Sequence, residues 1–137
     1  MSYPDFKRLV WRLNGHINVV LGNHDKVIHQ HRRDILAVGK IESIQDYKEL
    51  KFDKHQMIVL AHYGHRVWNK SHHGSIHLYG HSHGSLPPFG KSVDVGVDCK
   101  EITSEYRPVS LEEVREYMSK RSFQSVDHHG RKEMDME

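Results

Sequence analysis

Three short apolar runs, each ending in a histidine-bearing motif, constrain this chain more than any other feature. Ile17-Asn18-Val19-Val20-Leu21 leads into Gly22-Asn23-His24-Asp25. Met57-Ile58-Val59-Leu60-Ala61 leads into His62-Tyr63, and Ile76-His77-Leu78-Tyr79 into Gly80-His81-Ser82-His83-Gly84. Runs this short, rich in β-branched residues and bounded by glycine and polar residues, read as buried strands. Three strands would then end in Asn, His and His-x-His, the neutral oxygen and nitrogen donors that divalent transition metals accept. Loops at one end of a sheet can converge on one site.

Between these strands the pattern alternates. Phe6, Leu9, Val10 and Leu13 give a helical face over residues 5–13, closed by Asn14-Gly15. Residues 27–38 read as one polar helix carrying Ile28, Ile35 and Leu36 and stopped by Gly39. Residues 40–52 alternate weakly and read as one strand, forming a hairpin with residues 56–61 across Asp53-Lys54. Val93, Val95 and Val97 mark a strand over 92–97. A last helix opens with Ser110 as N-cap and Glu113 at the capping-box position and runs to about Lys120. The expected class is α/β, with one domain over residues 1–122 and a polar, disordered tail over 123–137 that includes His128-His129.

Composition narrows the function classes. The formal charge of +2 does not call for a nucleic-acid partner, and the basic residues form no dense run. No stretch approaches the roughly 20 apolar residues of a membrane span. The first residues lack the pattern of a signal peptide, so a cytoplasmic location is expected. Cys99 is the single cysteine; it has no disulfide or zinc-knuckle partner and reads as a small buried hydrophobe.

The motifs carry specific chemistry. Gly22 allows close backbone approach to a metal or phosphate. The Asn23 amide oxygen is a hard neutral ligand. His24 can pass a proton to a leaving oxygen, with Asp25 holding its ring. On extended backbone, His81 and His83 at i, i+2 would point the same way. Each motif alone could be an ordinary turn or loop, since Gly, Asn and Asp are turn formers. Their ordered combination after three strands points to a metal site.

These residues resemble the third, fourth and fifth motifs of the calcineurin-like metallophosphoesterases. Leu13-Asn14-Gly15 to Val20, the Trp68 loop, Asp94-Val95-Gly96-Val97-Asp98 and Arg107-Pro108-Val109-Ser110-Leu111 are similar to small phage and bacterial members. The resemblance spans most of residues 5–120. It implies part of a four-layer α/β/β/α sandwich and hydrolysis of a phosphomonoester or phosphodiester at a dinuclear site of manganese, iron or zinc. It further implies that Asn23, His62 and His81 bind one metal and His83 the other. His24 would assist the leaving group, oriented by Asp25.

The family's Asp-x-His and Gly-Asp motifs have no match ahead of Asn23, where the only acid is Asp5. Asp53-Lys54-His55 matches Asp-x-His but sits at a turn before a strand, and reads as coincidence. Two nearby dications need an anionic bridge. The expectation is therefore at most one metal in this chain, zinc first, on Asn23, His62, His81 and His83. An Ile17–Leu21 strand without a neighbour is also expected, and with it an N-terminal complementing fragment or self-association. The alternative is a non-catalytic metal-binding or interaction module. A structural-zinc or nucleic-acid-binding domain is weaker, lacking Cys ligands and strong charge. His65, Arg66 and Trp68 offer charge and a stacking surface for a phosphorylated small molecule or nucleotide; alternatively Trp68 packs on the core.

Overall fold

The computed structural model describes residues 1–126; most of the expected tail, His128-His129 included, lies outside the described residues. The backbone divides into two compact units, one ending at Tyr47 and the other beginning at Lys48.

The first unit opens with α1 (Tyr3–Trp11). Ser2 caps it, its hydroxyl accepting the Asp5 N–H at 3.2 Å, with a proline in the first turn where no N–H is missed. Phe6 and Val10 turn inward. β1 (Ile17–Val20) is followed by α2 (Lys26–Gln30), α3 (Arg32–Val38) and β2 (Ile41–Gln45), which pairs parallel with β1. Phe6, Val10, Ile35, Ile41 and Ile44 form its core.

Three expectations fail in this unit. β1 does have a neighbour. The helix expected over 27–38 is two helices, broken at His31, whose ring stacks on Tyr3 with centroids 3.9 Å apart. Gly39 does stop the second, at φ +84°. The single strand expected over 40–52 divides at Asp46 into β2 and β3 (Tyr47–Lys51). A bulge explains why that stretch alternates poorly. Ile17 faces Ile41 while Asn18 faces Ser43, so Glu42 is an extra residue. Ile41 and Ile44 can then both be buried although three positions separate them.

The second unit is a sheet in the order β3, β4 (Met57–Ala61), β5 (Ile76–Tyr79), β6 (Ser92–Asp94), with β4, β5 and β6 parallel. The turn after β3 is closed by Asp53, whose Oδ1 accepts the N–H groups of His55 at 2.7 Å and Gln56 at 2.8 Å. The match to Asp-x-His is thus a turn. β6 ends before the expected Val97, because Asp94 Oδ1 takes the Gly96 N–H at 2.8 Å and turns the chain.

Both faces of this sheet are covered, which is why β4 reads as an unbroken apolar run. Ile58, Ile76 and Val93 pack against Val114 and Met118 of α4 (Leu111–Ser119), while Met57 and Val59 pack with Trp68. The capping box forms as expected: Ser110 Oγ accepts from Glu113 N–H, and Glu113 accepts from Ser110 N–H. Cys99 is buried. Past α4, Gln124 Oε1 accepts the Gly90 N–H at 2.6 Å, so the chain there is tied to the unit. The architecture is α/β, with two sheets and four α-helices among the described residues. No described helix is long and apolar enough to cross a membrane.

Candidate metal centre

Because β4 and β5 are parallel neighbours, their C-terminal ends open at one edge, where side chains from both exits can meet. His62 follows the last residue of β4, and Gly80 the last of β5. The Gly80 N–H donates to the His62 carbonyl at 3.0 Å and ties the exits together. His62 Nε2 and His81 Nδ1 are 3.1 Å apart. Tyr63, half exposed, lies against both rings, with centroids 5.0 Å from His62 and 4.6 Å from His81.

The His-x-His segment is not extended. His81 has φ +64° and His83 φ +51°, both in the left-handed region, followed by Gly84 at +82°. Each such non-glycine residue costs roughly 1–2 kcal/mol. The two rings therefore do not share a side as extended spacing would have it. His81 meets His62, while His83 Nδ1 meets Asp98 Oδ2 at 2.5 Å. Asp98 raises the His83 pKa above its ordinary value, and His83 lowers that of Asp98.

The strained loop is held from below by Asp94, 2% exposed. Its Oδ2 accepts the Gly84 N–H at 2.8 Å, while Oδ1 takes Gly96. His77 holds the other loop. Its ring is fully buried, Nε2 accepts the His65 N–H at 2.8 Å, and Nδ1 lies 3.0 Å from the Val59 carbonyl. Accepting at Nε2 puts the proton on Nδ1, which donates to Val59. Burial is the main cause that lowers its pKa to about 4, so the ring is neutral near pH 7.

The first motif stands in the first unit. Asn23 and His24 are exposed at the turn after β1. Asp25 closes that turn, its Oδ2 accepting the Gly22 N–H at 2.6 Å. Of the residues read as substrate-binding, Arg66 is exposed and His65 half-buried. Trp68 is buried and its indole N–H donates to the Ser75 carbonyl at 3.2 Å, so it packs the core, the other of its two readings.

Among the described residues, no three His, Cys, Asp or Glu side chains are gathered as one ligand set. The His62–His81 contact has the length of an ordinary hydrogen bond, and the same spacing fits a shared ion. Two nitrogens bound tetrahedrally at about 2.0–2.1 Å stand roughly 3.3 Å apart, close to the 3.1 Å observed. His83, with Nδ1 on a carboxylate and Nε2 beyond it, has the form of a backed metal ligand. Asp98, Asp94, Tyr63 and His77 escaped the sequence reading. In the sequence Asp94 and Asp98 end a Val-Gly-Val run that carries part of the family resemblance without a role of their own, and His77 is one residue of a strand. Compared with known proteins, the chain matches no family model, no curated protein and no solved structure.

Proposed function

We propose that this chain is a metal-dependent phosphoesterase of the calcineurin-like type, supplying the Asn/His part of the site and part of the α/β/β/α sandwich. The observation that carries the reading is the His62–His81 pair at the shared exit of two parallel strands. His62 and His81 would hold one divalent ion, of manganese, iron or zinc, and His83 would act as a ligand oriented by Asp98. Such an ion, when bound, offsets the negative charge that gathers on phosphoryl oxygens. The chain's residues do the rest. Asp94 and His77 fix the two loops before any ligand arrives, so little ordering remains on binding. Tyr63 covers the imidazole pair. Asn23, as an amide donor, and His24, as a proton donor to the leaving oxygen, are proposed for the first unit's turn. The substrate class is a phosphorylated small molecule or nucleotide.

A second reading is a metal-binding module without turnover. It is favoured by the neutral character of the donors around His81, the nearby carboxylate of Asp98 being already engaged by His83. One experiment separates them. The full chain is titrated with zinc and with manganese by calorimetry, then assayed on an aryl phosphate and an aryl phosphodiester. Binding and turnover that both vanish in His81→Ala support the enzyme; binding without turnover supports the module. No binding of either metal would sink both.

A further inference from the structure

At the opposite end of β4 from His62 lies a second concavity, about 680 Å³ in volume. The two ends of a five-residue strand are roughly 13 Å apart, so it is separate from the histidine edge. Three lysines from different segments line it: Lys51 at the end of β3, Lys54 in the turn, and Lys70 in the loop before β5. His55 and His73 line it too. Among the described residues none of these lysines forms an ion pair. The carboxylate lining it is Asp53, committed to two N–H groups of its own turn.

Lys70 is the second observation. It sits at φ +60°, ψ +25°, a left-handed conformation that a lysine adopts only at a cost. The surrounding chain enforces it. The Lys70 carbonyl accepts the N–H groups of His73 at 2.9 Å and Ser75 at 3.1 Å. Ser75 is in turn fixed by its hydroxyl on the Asn69 carbonyl and its own carbonyl on the Trp68 indole. Glycine would satisfy this backbone without strain. The backbone of Lys70 is anchored to the core and brings its ammonium group to a cleft with two other lysines, where several point charges can meet one anion.

We infer that the cleft formed by Lys51, Lys54 and Lys70 with His55 and His73 binds a di- or triphosphate group. Three lysine charges against one committed carboxylate match a multiply charged anion better than a single carboxylate ligand. The space exceeds what one phosphate fills. The site stands apart from the proposed metal chemistry and does not depend on it.

The test is calorimetry on the full, metal-free chain with inorganic pyrophosphate, a nucleoside triphosphate and a single-stranded oligonucleotide as separate titrants. Pyrophosphate is expected to bind with Kd below about 1 mM. Lys54→Ala and Lys70→Gly should each weaken it about tenfold. Lys54→Arg should retain it, and so should His81→Ala, which removes a histidine of the other site. Equal affinity for pyrophosphate and the nucleotide assigns recognition to the phosphates; tighter nucleotide binding adds the nucleoside and also supports the site. Lys70→Gly relieves strain, so a folded variant is expected, and its melting curve confirms this. Absence of pyrophosphate binding, or binding indifferent to both lysines, overturns the proposal. An oligonucleotide that binds more tightly and displaces pyrophosphate also overturns it, because the cleft then reads a nucleic-acid backbone.

Discussion

His83 Nδ1 and Asp98 Oδ2 stand 2.5 Å apart across fourteen intervening residues, a carboxylate fixing one nitrogen of an imidazole and leaving the other outward. This is how proteins orient a histidine ligand and raise its basicity. His83 is largely exposed and Asp98 half-buried, so the pair serves orientation more than stability.

Asp98→Asn should therefore weaken zinc binding by about 10–100-fold while leaving the fold intact. Calorimetry reads the affinity. In the metal-free chain, the His83 ring should titrate at a lower pH in the variant than in the parent, by NMR. Unchanged affinity and titration would remove Asp98 from the site.

His77 makes stability depend on acid. Its pKa falls from an ordinary 6.5 to about 4 on folding. Between those values the unfolded chain binds more protons, so this contribution is complete above about pH 6.5 and is lost as pH drops toward 4. The full effect is on the order of 3 kcal/mol. Urea midpoints at pH 7 and pH 4.5 should differ accordingly, and His77→Phe should flatten that difference while lowering stability at both. A midpoint in the parent that does not move with pH would contradict the buried neutral ring.

Asp94 carries two N–H groups that have nowhere else to go. Asp94→Ala strands those of Gly84 and Gly96 and should cost about 3 kcal/mol. Hydrogen exchange at the Gly84 amide should accelerate more than at strand β4. Asp94→Asn, which keeps one acceptor, should lose less.

Met118 is 1% exposed beneath the sheet, so Met118→Ala should cost about 2–5 kcal/mol in denaturant unfolding. The loss should come without altered metal binding, since the residue faces the side covered by α4.

Local signals were legible and nonlocal ones were not. The Ser110–Glu113 box, the Gly39 stop and the β4 and β5 runs are each set by a few adjacent residues, and the sequence shows them. His31, where the helix breaks, stacks on a ring twenty-eight positions earlier, Tyr3, and no short window of sequence contains both. At the candidate site, the histidines were evident from their motifs. Their partners were not: Asp98 reaches His83 only because the chain turns after β6. The extended spacing assumed for His81 and His83 failed because Asp94 holds the loop in a left-handed path.

The bulge in β2 cancels the change of parity that its extra residue would impose. Inside and outside exchange with each single step along a strand. By leaving Glu42 unpaired, the bulge keeps Ile44 in phase with Ile41. Were Glu42 paired in a regular ladder instead, Ser43 would turn toward the core and Ile44 toward water; deleting Glu42 would let Ile41 and Ile44 alternate without a bulge. A surface residue that pairs with His16 is thus accommodated by a kink of the backbone, and the face of the strand that is dry stays dry.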